Sequence, residues 1–154
     1  MRKLIIALAL LTALQLVPAE MRTNPRSDPA RSMEARLDVP SQIKSLLKNS
    51  CANCHSNETE WPWYSSLAPV SWVVAHDVNR ARAAMNFSDW SDRPSAERGF
   101  LAAACAGVKS GRMPPSQYRI LHPDAVFSPE ETTRFCAWTL LEASALRRTA
   151  ATAQ

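Results

Sequence analysis

The sequence predicts a small all-α domain of about four helices, and three observations carry that expectation. Three glycines among 154 residues are few for a loop-rich or β-rich chain, whereas eleven prolines favour short helices joined by proline-marked turns. Val70, Val74, Val78, Ala81 and Met85 recur at helical steps and, at about 100° per residue, fall within an arc of about 80°. Ser128, Pro129 and Glu131 stand as N-cap, N1 and N3 of a capping box, with the proline where its missing N–H is harmless.

The chain opens with Arg2 and Lys3 ahead of an apolar stretch from Leu4 to Val17 broken only by Thr12 and Gln15. Fourteen residues reach about 21 Å across a hydrocarbon core of roughly 30 Å, which is short for a spanning helix. With modest or small side chains at Val17 and Ala19, residues 1–19 read as a cleaved secretory signal peptide, the alternative being an uncleaved membrane anchor. Residues 20–39 are polar and proline-containing with hardly any apolar periodicity, the pattern of a flexible linker.

The domain is expected over residues 40–147. Ile43, Leu46 and Leu47 follow Ser41 at helical spacing, giving a first helix that runs into a cysteine motif. A loop from Glu58 to Ala68 leads to the second helix, which begins near Pro69 and carries the valine stripe. A further loop around Trp90 precedes a third helix starting at Pro94 or Ser95. It buries Phe100 or Leu101, Ala104, Cys105 and Val108 and ends before Gly111, which suits a left-handed cap. A proline-rich connection joins it to the fourth helix, whose apolar positions are Phe135, Cys136, Thr139, Leu140 and Ala143. Arg147 and Arg148 complement the dipole at its far end, and residues 148–154 read as a disordered tail.

Charge excludes one class of partner. The formal net charge is +4, and loss of Arg2 and Lys3 with a signal peptide leaves about +2. Without a concentrated basic face or a Lys/Arg run interleaved with aromatics, no nucleic-acid partner is expected.

Cys51-Ala52-Asn53-Cys54-His55 has the spacing of covalent c-type haem attachment. On a helical turn, positions i, i+3 and i+4 share a face, so two thiols can each add to a haem vinyl group while His55 points its imidazole at the iron. A zinc site needs about four ligands at recognisable spacing, and His76, Cys105, His122 and Cys136 form no second paired motif. A thioredoxin-like dithiol is expected beside a βαβ pattern, and no strands are evident. One covalent haem c is therefore the expected cofactor.

Around that motif stand Cys54-His55-Ser56-Asn57-Glu58-Thr59, Trp61-Pro62-Trp63-Tyr64, Ala68-Pro69-Val70-Ser71-Trp72 and Asn86-Phe87-Ser88-Asp89-Trp90. Gly111-Arg112-Met113-Pro114-Pro115, Tyr118, His122-Pro123-Asp124-Ala125, Ser128-Pro129-Glu130-Glu131 and Trp138 continue the series. Together they resemble the bacterial haem-binding domain family related to cytochrome c. The resemblance implies a monohaem, all-α, cytochrome c-like domain of bacterial origin, exported or anchored. The expected location is periplasmic, or anchored to the inner membrane and facing the periplasm if residues 1–19 are retained.

For the sixth iron ligand the candidates are Met113, His76 and Met85. The proline after Met113 disfavours helix there and stiffens an extended loop, and the likeness to cytochrome c, where a Met-Pro loop supplies the distal ligand, points the same way. His76 lies across the second helix from the valine stripe and is expected on the surface, while Met85 belongs to the stripe. The expected metal ligands are thus His55 and Met113. Trp61 and Tyr64, with Trp63 and Trp72, either wall the haem or pack as ordinary aromatic core. Arg112 and Tyr118 flank Met113 and either hydrogen-bond haem propionates or, for the arginine, sit solvated. His122 is expected to structure its loop. Cys105 and Cys136 both lie on apolar stripes and either oxidise to a disulfide in an exported protein or remain inert buried thiols.

The leading expectation is a monomeric electron carrier rather than an enzyme, because His/Met ligation closes the iron and raises its potential. The alternative is a haem enzyme or a small-gas or redox sensor with a displaceable sixth ligand. A dithiol or metal-stabilised binding module is the third class, tenable only without haem. The redox partner protein is not legible in the sequence.

Overall fold

A computed structural model describes residues 1–17 and 22–152. It is all-helical, with no strand among the described residues. Helix α1 (Arg2–Leu14) is exposed over all but Leu14, which is half-buried. Gln15 just beyond it makes two hydrogen bonds to the backbone of Ala68, and the Trp72 Nε1 donates to Val17 O at 3.3 Å. No helix among the described residues is long and apolar enough to cross a membrane. Pro18 to Met21, and with them the expected cleavage point, lie outside the described residues.

Helix α2 (Ser41–Leu47) runs into a π-helical turn (Lys48–Ala52) and then a single turn α3 (Asn53–His55). Helices α4 (Val70–Ala84), α5 (Pro94–Lys109), the short α6 (Ser116–Leu121) and α7 (Pro129–Thr152) follow. The core is shared by Ile43 and Leu47 of α2, Leu101 and Val108 of α5, and Phe135, Trp138 and Leu146 of α7. The α5 and α7 pair is fastened by a Cys105–Cys136 disulfide across a Cα–Cα distance of 5.1 Å, so the two inward-facing cysteines are bonded.

Two local expectations hold in detail. Ser128 N donates to Glu131 Oε2 at 2.8 Å and Glu131 N to Ser128 Oγ at 3.1 Å, the reciprocal pair of a capping box. Gly111 has φ of 67°, the left-handed conformation that ends α5.

Three expectations are corrected. Residues 22–39 are a packed strap rather than a flexible linker. Two 3-10 turns, Pro29–Arg31 and Met33–Ala35, are capped by the Asp28 and Ser32 side chains. Met33, Leu37 and Val39 enter the core. The strap is tied by Met33 N to Phe87 O, Trp90 N to Arg31 O, and Trp138 Nε1 to Asp38 O, each at 2.8 Å. Arg36 Nε donates at 3.0 Å to Glu97, whose side chain is fully buried. Such a segment has no apolar period because it is neither helix nor strand; tertiary contacts order it.

At the other end, residues 148–152 continue α7 rather than fraying as a tail, consistent with the high helix propensity of Arg148, Ala150 and Ala151.

The valine stripe of α4 does not face one core. Buried there are Ser71, Ala75 and Val78, while Val70 is 43% exposed. The small side chains at 71 and 75 form the buried side of the helix, which packs against the 3-10 turn Trp63–Ser66 and α3. The stripe divides: Val70 and Val74 line a cleft of about 300 Å³, Ala81 and Met85 a different cavity.

Candidate functional site

That second cavity encloses about 390 Å³, within the usual range of about 300–1,000 Å³ for a small-molecule pocket. Cys51, Cys54 and His55 reach it from the π turn and α3, and Met113, Pro114 and Pro115 from the connection after α5. Leu101, Ala104, Val108, Phe135, Trp138 and Trp90 supply an apolar wall. His76, Asp77 and Arg80 come from α4 and Gln117 and Tyr118 from α6.

The imidazole of His55 is held by its backbone neighbours. Nδ1 lies 3.0 Å from Met85 O, and since a carbonyl only accepts, Nδ1 carries the proton and Nε2 presents its lone pair. The ring stacks on Phe87 with centroids 5.9 Å apart, and Phe87 N donates to His55 O at 2.7 Å. Burial pushes its pKa below the ordinary value, against the opposing pull of the Met85 and Ala81 carbonyls. A half-buried imidazole with its tautomer and orientation fixed in this way has what a metal requires of a histidine.

Cys51 and Cys54 are both unbonded. Burial raises the Cys51 thiol to about 12, with the neighbouring Cys54 adding to it. Cys54 rises to about 11 through burial and the Asp77 charge, partly offset by Arg82. Burial thus favours the neutral thiol form of both cysteines in the free chain. Among the described residues no group of three or more His, Cys, Asp or Glu side chains gathers where it could hold a metal ion.

A polar lattice fixes this turn. Asn53 Oδ1 accepts from Glu60 N at 3.1 Å, and Thr59 Oγ1 donates to Asn53 O at 2.8 Å. Arg82 donates to Ser56 O and Thr59 Oγ1, each at 2.7 Å. Ser88 Oγ accepts from Asn57 N, and Asn86 Nδ2 donates to Asn57 Oδ1. The runs Ser56 to Thr59 and Asn86 to Ser88 are therefore one hydrogen-bonded unit that sets the position of His55. Sequence reasoning missed the roles of Asn53, Arg82 and Met85 O. The polar clusters flanking the motif and the start of the Trp90 loop were the available signal.

Of the eight expected cofactor-binding residues, the structure brings Cys51, Cys54, His55, Met113 and Tyr118 to the cavity. It does not bring Trp61, Tyr64 or Arg112. Trp61 Nε1 donates to Asn24 Oδ1 at 3.1 Å, with the Arg82 guanidinium 6.0 Å from its ring centre. Tyr64 lines the smaller cleft, its hydroxyl 2.8 Å from His122 Nε2. Arg112 is exposed and donates to Ser110 Oγ at 3.1 Å. Tyr118 accepts from Asn53 Nδ2 at 3.1 Å and stacks on His122 at 4.1 Å. His122 thus structures its loop through two tyrosines. His76, expected to point away from the valine stripe and onto the surface, is exposed but also lines the cavity.

Met113 is 43% exposed, and its N–H donates to Gly107 O at 3.1 Å. Its side chain rests over Gly107, where an added Cβ would stand 3.2 Å from Met113 Cγ. Trp90 is 5% exposed, and its buried Nε1 has no hydrogen-bond partner among the described residues. An apolar cavity bordered by two thiols, a neutral imidazole, a thioether and an unsatisfied indole donor fits a large, flat, mostly apolar group with a polar edge.

Comparison with known proteins adds a family. A family model described as a haem-binding domain matches residues 9–140. No curated protein and no solved structure is similar enough to match.

Proposed function

Since the chain belongs to the haem-binding domain family, we propose that it holds one haem covalently through Cys51 and Cys54, with His55 and Met113 as axial ligands, and that it carries electrons as an exported protein rather than acting as an enzyme. The observation that carries this reading is the His55 Nδ1 bond to Met85 O, which aims Nε2 of a half-buried imidazole away from its own backbone. The same cavity receives both unbonded thiols and the Met113 thioether.

When bound, haem supplies one-electron redox chemistry, and the axial pair sets its potential. The residues of this chain do the rest. The Cys51 and Cys54 thiols would each hold the macrocycle by adding S–H across a vinyl double bond, and Met85 O fixes the imidazole tautomer. The apolar wall keeps water out, which together with the soft Met113 sulfur favours the less charged ferrous state. The Cys105–Cys136 bond belongs with an oxidising compartment, and the basic, apolar residues 1–17 with passage to it. The periplasm, monomeric state and absence of a nucleic-acid partner form part of the same reading.

One observation favours a second reading. Met113 is 43% exposed, so the sixth ligand is open to displacement, as a peroxidase-like enzyme or a small-gas sensor requires. Protein matured in a host with cytochrome c assembly machinery should retain haem through acid–acetone extraction, and Cys51→Ala or Cys54→Ala should weaken or abolish that retention. Haem released wholesale from the wild type overturns covalent attachment. Rapid carbon monoxide binding by the reduced wild type favours the sensor or enzyme over the carrier.

A further inference from the structure

We propose that Arg80 on α4 is the cation that receives a haem propionate, placing the carboxylate edge of the cofactor against α4 rather than beside Arg112; the inference rests on the haem reading above. A haem bound in this cavity brings two carboxylates with it, and a carboxylate held at an apolar wall needs a charge-assisted donor. Among the described residues that line the cavity, Arg80 is the one Lys or Arg side chain, and it has no hydrogen bond or ion pair to any of them. The other polar groups from α4 and α6 are engaged or of the wrong sign. Gln117 Nε2 donates to Asp77 Oδ2 at 3.4 Å, and Tyr118 accepts from Asn53.

His76 stands one helical turn before Arg80, and both line the cavity, so this face of α4 borders it over a full turn. Asp77 opposes a carboxylate at this edge, which makes the positive charge of Arg80 the deciding element. Cys51, Cys54 and His55 border the same cavity but are committed to holding the macrocycle. Arg112, the natural candidate from its place beside Met113, is exposed, bonds to Ser110 and does not border the cavity.

The test is the midpoint potential of the haem-loaded full chain as a function of pH. A nearby cation opposes the extra positive charge of ferric haem and holds the propionate ionised. Arg80→Gln should therefore lower the potential and raise the propionate proton affinity about tenfold, moving the pH-dependent segment of the profile up by about one pH unit. Arg80→Lys should recover most of the potential, since it restores the charge without the planar fork. Arg112→Gln should leave both quantities as in the wild type. An unchanged profile in Arg80→Gln, or a displaced one in Arg112→Gln, overturns the assignment. If Arg80→Gln matures without haem, Arg80→Lys decides: loading supports a required charge, and failure to load assigns Arg80 to folding instead. A wild type that never acquires haem overturns the functional reading itself, a result separate from any of these.

Discussion

Gly107→Ala sets helix propensity against the seat of Met113. In the last turn of α5, alanine gains at most roughly 0.5–1 kcal/mol over glycine. The new methyl group, however, would lie 3.2 Å from Met113 Cγ and 3.5 Å from its Cβ, where carbon atoms prefer about 3.5–4.0 Å. Relief requires a shift of a few tenths of an ångström. Overpacking costs about 1–3 kcal/mol, and a flexible methionine at the surface keeps the cost near the lower end. The net change in stability should be within about 1 kcal/mol, a melting shift of only a few degrees. The thioether, by contrast, moves with its contact, and the sulfur is the part the iron would feel. The expected outcome is a weakened long-wavelength band of sulfur-ligated ferric haem and faster carbon monoxide binding by the reduced protein, with near-normal thermal stability. Gly99→Ala is the control, because nothing lies within 4 Å of its added Cβ on the same helix. It should stabilise slightly without spectral change. A Gly107→Ala protein with an intact band and wild-type ligand binding refutes the view that this glycine seats Met113.

Other outcomes can be checked on the same protein. Arg36→Leu leaves Glu97 buried without its partner; because the Arg36 side chain is itself 38% exposed, the loss should be about 2 kcal/mol in denaturant unfolding, below the figure for a wholly buried pair. Replacing Cys105 and Cys136 by serine opens a bond spanning 31 residues and should cost about 3–4 kcal/mol on the chain-entropy model; alkylation of both cysteines in unreduced, denatured wild type would show that the bond does not form. Before haem attachment, His55 has a folded pKa below its unfolded value of about 6.5. Its contribution is therefore present above that pH and is lost as pH falls toward the folded pKa, because the unfolded chain then binds the extra proton. The thermal stability of the haem-free chain should fall below about pH 6.5, and His55→Gln should flatten that dependence.

How much of the site was legible beforehand depends on how far apart in the chain its parts lie. The helical turn that carries Cys51, Cys54 and His55, the capping box at Ser128 and the left-handed end at Gly111 were readable because each is settled within about five residues by local hydrogen bonding and sterics. The Cys105–Cys136 pairing was readable as one of two outcomes, since both stripes pointed inward. Arg112 was misjudged for the converse reason: nearness in sequence to Met113 says nothing of where a long flexible side chain goes once Ser110 offers it an acceptor.

The sequence by itself determined an all-helical chain, the spacing of two thiols and an imidazole, and the loop that presents Met113. Only the tertiary structure decided that residues 22–39 strap the core, because Met33, Leu37 and Val39 are recognisable as anchors only when Trp90, Glu97 and Trp138 lie beside them. It likewise decided which side of α4 is buried. Of the valine stripe only Val78 is buried; it shares the buried side with the small side chains of Ser71 and Ala75, and the helix packs against α3 and the turn at Trp63–Ser66. That choice turns Ala81, Met85 and Arg80 toward the cavity. Helical periodicity records which residues share a face, but the partner that covers a face comes from elsewhere in the chain.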